Sequence, residues 1–113
     1  MNITAESYGH AVMLIVSGDL TEDSLSTFRE AVDHQLSGKE VVDLVLNLEG
    51  VPFIDSACLE YLLDTQETLS ARMGQIRLVK CDQNVKKILE ITGLASTFEQ
   101  CDKVDEALKA VDA

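Results

Sequence analysis

The stretch from Val41 to Leu69, VVDLVLNLEGVPFIDSACLEYLLDTQETL, decides how the rest of the chain is read. It opens with an almost unbroken apolar run, Val41 to Leu48, interrupted only by Asp43 and Asn47. A run of that length, built of Val and Leu, predicts a strand buried on both faces. A short loop with the sole proline, Pro52, follows. Beyond Asp55-Ser56, residues Leu59, Leu62, Leu63, Gln66 and Leu69 fall on one stripe of a helix. Asp or Ser just before the first periodic residue is an N-cap signal, because its side-chain oxygen can accept an unpaired N–H of the first turn. A polar pair thus stands where a central strand passes into a helix, and functional groups gather at such places in open α/β sheets.

Working toward the N-terminus, Leu25, Phe28, Val32 and Leu36 recur at helical spacing and Ser37-Gly38 ends that helix. Gly18-Asp19-Leu20-Thr21 is a corner before it. Thr21 is the expected N-cap, with Glu22 and Asp23 in the first turn, where the helix dipole favours negative charge. Ile3 to Ser7 and the β-branched run Ala11 to Val16 predict a hairpin about the turn Tyr8-Gly9-His10.

Working toward the C-terminus, Arg72 and Gly74 close the central helix. Gln75 to Lys80 predicts a strand, with Ile76 and Leu78 on one face and Arg77 and Val79 on the other. Asp82 is placed to cap a helix carrying Val85, Ile88 and Leu89, which Gly93 terminates. Phe98 is assigned to a short last strand. Asp102 is placed to cap a final helix with Val104, Ala107, Leu108 and Val111. The order β-β-α-β-α-β-α-β-α predicts one α/β domain over residues 1–113. Its sheet should be mixed and four- to five-stranded, with helices mainly on one face.

A chain of 113 residues, 46% hydrophobic and 26% charged, suffices for one core without a metal or disulfide staple. The net charge of −11 disfavours direct binding to nucleic acid phosphates or to an anionic membrane, and favours a partner with a basic surface. No apolar run reaches membrane-spanning length, so no membrane insertion is expected. Three cysteines, Cys58, Cys81 and Cys101, lack metal spacing and read as reduced thiols. The first residues lack a basic segment followed by an apolar one, so a cytoplasmic location is expected. There is no Gly-rich phosphate loop and no metal-ligand spacing, so no cofactor is expected.

The block Leu46-Asn47-Leu48, Phe53-Ile54-Asp55-Ser56-Ala57 and Leu59 resembles the signature of STAS domains, especially free-standing anti-sigma factor antagonists. Gly18-Asp19-Leu20-Thr21 resembles that family's corner before its first helix. Val85 to Leu89 with Gly93-Leu94 resembles its third helix and exit. The resemblance implies the STAS fold and a binding module rather than an enzyme. It implies that Ser56 is phosphorylated by a serine kinase of the GHKL type, which doubles as the anti-sigma factor. A PPM-type, metal-dependent phosphatase would reset the switch. Asp19, Thr21, Asp55, Ser56, Ala57 and Cys58 would form the partner-binding surface.

Read from the residues alone, Ser56 is a capping hydroxyl contributing about 1 kcal/mol to the helix. A phosphate there would meet unpaired N–H groups and the positive end of the helix dipole, so the fold should tolerate it. Asp55 beside Ser56 is not a hydrolase dyad, because neither His10 nor His34 is placed near it. Cys58 departs from the resemblance, which leads one to expect glycine, and Glu60 stands where a small residue is usual. Cys58 is expected to be small and semi-buried in the first helical turn. These two departures support an alternative: a STAS scaffold or regulatory subunit in another complex, such as lipid transport or two-component-type signalling.

Overall fold

The computed structural model describes the backbone of residues 1–112 and the side chains of residues 1–110. Val111, read above as part of the last helical stripe, lies outside the described side chains. The elements follow the predicted order: β1 (Asn2–Tyr8), β2 (Ala11–Ser17), α1 (Leu25–Leu36), β3 (Asp43–Gly50), α2 (Ser56–Ala71), β4 (Ile76–Val79), α3 (Gln83–Ile91), β5 (Glu99–Cys101) and α4 (Val104–Asp112). The five strands form one mixed sheet in the order β1-β2-β3-β4-β5. β1 and β2 are an antiparallel hairpin, and β2 to β5 run parallel.

The alternation of β3 explains the two-layered core. Leu44, Leu46 and Leu48 face the main core, with Phe28, Val32 and Leu36 of α1, Leu59, Leu62 and Leu69 of α2, and Val85 and Leu89 of α3. Val45 faces the other way and packs with Met13, Val79 and Ala107 of α4. So three helices cover one face of the sheet and one covers the other. The apolar run of β3 is what this arrangement requires, since a polar residue on either face would lose its hydration.

Two glycines are fixed by their surroundings. Gly18 has φ 109°, which an L side chain rarely adopts, and it breaks β2 into the corner that follows. Gly74 packs so tightly against the backbone carbonyl of Val42 that a Cβ would collide with it. The left-handed residue at the end of α2 is its neighbour Met73, with φ 67°.

The expected start of α1 needs correction. Thr21 is not its N-cap, and Glu22 and Asp23 precede the helix instead of occupying its first turn. The Thr21 carbonyl accepts the N–H of Ser24 at 3.0 Å, closing a turn, and Ser24 occupies the cap position. The Ser24 hydroxyl accepts the Thr21 N–H at 3.1 Å and lies 2.8 Å from the carbonyl oxygen of Asp19. The polar side chain thus serves the corner and leaves the helix end uncapped by a side chain.

Candidate functional site

In this topology both loops that leave the C-terminal ends of β2 and β3 lie at one end of the sheet, side by side. Gly18 N–H donates to the Gly50 carbonyl, Leu20 N–H to the Phe53 carbonyl, and Asp55 N–H to the Leu20 carbonyl, each at 2.9 Å. Leu20 and Ile54 form a parallel bridge, with both side chains buried. Residues 18–22 are thereby zipped along residues 50–55. Asp19 and Thr21 are brought beside Asp55, Ser56 and Ala57, although more than 30 positions separate the two groups.

Asp55 is the N-cap of α2, with an extended backbone. One carboxylate oxygen accepts the N–H of Cys58 at 3.0 Å, and the other accepts the N–H of Glu22 at 2.7 Å. Partial burial opposes its charge, yet the N–H donors of Cys58 and Glu22 outweigh that effect and hold the carboxyl below the usual carboxylate range. Ser56 is the first residue of α2 and is exposed. Its hydroxyl makes no hydrogen bond among the described residues, so the capping role expected of Ser56 is filled by Asp55 instead. Being the helical residue nearest the N-terminus, it stands next to N–H groups that no intrahelical carbonyl satisfies.

Cys58 is correctly placed in the first turn but is fully buried, so its side chain is not available to a docking partner. It points inward, under the corner, with Sγ 3.5 Å from the Thr21 carbonyl oxygen and the Asp55 carboxylate close by. Burial, reinforced by the Asp55 charge, pushes the thiol up to about 12. A thiol so disfavoured as thiolate is a poor nucleophile at neutral pH. Glu60 is exposed one turn beyond Ser56.

Two features of this end were not read from the sequence. Glu22 contributes its backbone N–H rather than its charge, and no local pattern marks that. Phe53 is 44% exposed beside the exposed Pro52 and offers apolar surface three residues before Ser56. The surrounding charge is acidic: residues 18–28 and 49–71 contain no Lys or Arg. Lys80 lies 3.1 Å from Glu49 in an exposed pair.

The histidines lie elsewhere. His10, in the β1–β2 turn at the opposite end of the sheet, has Nδ1 3.1 Å from the Glu40 carbonyl oxygen, and His34 is in the last turn of α1. With no histidine at the Ser56 end, the site has no imidazole to activate a hydroxyl. No helix of the described residues is long and apolar enough to cross a membrane.

The family model described as "STAS domain" matches residues 2–107. The chain is 25% identical over 114 residues to the "Anti-sigma F factor antagonist" of Paenibacillus polymyxa, covering 99% of this chain and 97% of that protein. Its structure is similar to that of an anti-sigma factor antagonist from Mycobacterium paratuberculosis, with TM-score 0.86, 25% identity and coverage of 99% and 94% of the two chains. It is also similar to SpoIIAA in its unphosphorylated form, with TM-score 0.83, 21% identity and coverage of 98% and 96%. The phosphorylated form of the Bacillus protein SpoIIAA aligns with TM-score 0.75, 20% identity and coverage of 97% and 99%.

Proposed function

We propose that this chain, which belongs to the STAS domain family, is an anti-sigma factor antagonist switched by phosphorylation of Ser56. The observation that carries the reading is the exposed Ser56 hydroxyl at the first position of α2, with the 18–22 corner held beside it by Asp55. The names of its relatives support the class of partner, and the existence of SpoIIAA in a phosphorylated form supports the class of switch.

In this reading the unmodified protein docks through Asp19, Thr21, Phe53, Asp55, Ser56 and Ala57 onto an anti-sigma serine kinase of the GHKL type, in the cytoplasm. The kinase transfers the γ-phosphoryl group of ATP to Ser56 Oγ. The new O–P bond replaces the bond to the β-phosphate, and the hydroxyl proton passes to a base of the kinase. The added charge of about −1.5 to −2 is tolerated by the helix N-terminus. At the docked surface, however, it takes the place of the hydroxyl contact and must be stripped of water for the partner to close, so the complex dissociates. A PPM-type phosphatase restores the hydroxyl. The chain acts by binding and carries no catalysis of its own.

The test is capture from the native lysate with wild-type, Ser56→Ala and Ser56→Asp baits, read by mass spectrometry. A GHKL-type kinase retained by wild type and Ser56→Ala and lost from Ser56→Asp is the expected result. Equal retention by all three of transport or two-component proteins, with no kinase, would replace this reading by the scaffold one.

A further inference from the structure

The peptide unit that joins Thr21 to Glu22 is held at both of its polar atoms by the N-cap and the first turn of α2. Its N–H donates to Asp55 Oδ2 at 2.7 Å, and its carbonyl oxygen lies 3.5 Å from the Cys58 thiol, which donates to it. The thiol is fully buried, so water does not compete for the sulfur contact. The same carbonyl accepts the backbone N–H of Ser24 at 3.0 Å, while the Ser24 hydroxyl lies 3.2 Å from it and closer, at 2.8 Å, to the Asp19 carbonyl oxygen. A single peptide thus receives contacts from two elements that are distant in sequence. An alanine or glycine at position 58 would leave a void where the sulfur stands.

We propose that Asp55 and Cys58 form a clamp on the Thr21–Glu22 peptide, and that Cys58 is a positioning residue that keeps the 18–22 corner and the Ser56 helix start as one preorganised recognition surface. Cys58 acts through Thr21 and does not touch a partner. The corner carries Asp19 and Thr21, so their placement relative to Ser56 depends on the clamp. A surface already ordered loses less conformational freedom on docking, which favours affinity without adding a contact. This assignment rests on the proposed function for the meaning of the surface, while the clamp itself is a property of the free protein.

Amide hydrogen exchange of the whole chain, followed by NMR for wild type, Cys58→Ala and Cys58→Ser, tests it. The Glu22 amide should be protected in wild type despite the exposure of its side chain. Cys58→Ala should speed its exchange by about tenfold relative to that of Leu46 in β3, a core amide reporting global opening. Cys58→Ser, which keeps a donor, should recover much of the protection. Exchange of Glu22 within about twofold of wild type in Cys58→Ala, or equal acceleration at Glu22 and Leu46, would overturn the clamp. A protected Glu22 in a protein whose Ser56 accepts no phosphate would sink the proposed function and leave the clamp standing.

Discussion

The carboxylate of Asp55 and the backbone N–H of Glu22 meet at 2.7 Å across 33 positions of sequence. Because the other oxygen of the same carboxylate caps α2 through Cys58, one side chain ties a helix start to the corner that precedes a different helix. Asn at this position could keep one of those bonds but not both, since its amide nitrogen cannot accept.

The first prediction concerns acid. The folded carboxyl of Asp55 titrates below its ordinary value. Its stabilising contribution is therefore complete above the unfolded carboxylate pKa, about 4, and is lost as pH falls through the lower folded value. Asp55→Asn should cost about 1 kcal/mol at neutral pH and narrow its stability difference from wild type in acid. Urea midpoints of both proteins between about pH 3 and 7 check this, and a constant difference across that range would contradict it.

Ser56 is exposed at the start of α2, so its replacement should be nearly invisible to the fold. Ser56→Asp gains from the positive helix end and loses to the neighbouring Asp55 and Glu60 charges. Both Ser56→Asp and Ser56→Ala should stay within about 0.5 kcal/mol of wild type in thermal melts. A drop above about 2 kcal/mol in either would mean that the hydroxyl has a structural role.

Leu46 and Leu62 are fully buried in the main core, on β3 and α2. Leu46→Ala and Leu62→Ala should each destabilise by about 2–5 kcal/mol in denaturant titrations. The core geometry would be wrong if either cost less than about 1 kcal/mol.

Gly74→Ala should also destabilise, by about 1–3 kcal/mol or more, because the new Cβ collides with the Val42 carbonyl. Met73→Gly should be neutral to stabilising, since Met73 has a left-handed backbone and is 94% exposed. The pair of melts separates close approach from left-handed strain, and the opposite order would refute the assignment.

Much of this architecture is legible in the sequence for one reason: the apolar patterns are local and the core is aliphatic. The period of Leu25, Phe28, Val32 and Leu36, and the unbroken run of β3, report which faces are buried without knowledge of neighbours. The start of α1 is not legible in the same way. Thr21-Glu22-Asp23-Ser24 offers several capping side chains, and the choice among them depends on how the corner lies against the 50–55 loop. Asp55 and Ser56 can be marked from the strand-to-helix passage. The Asp55–Glu22 and Cys58–Thr21 contacts cannot, because they join backbone atoms to side chains more than 30 positions away. Cys58, expected to be semi-buried, is fully buried, because its side chain faces the 18–22 corner, a neighbour that the local pattern does not reveal.

The most direct measurement is a calorimetric titration of the captured kinase with the unmodified protein and with the same protein phosphorylated on Ser56. The proposed switch predicts that phosphorylation weakens binding by about five- to 150-fold, equivalent to about 1–3 kcal/mol. Equal affinity of the two forms would contradict it.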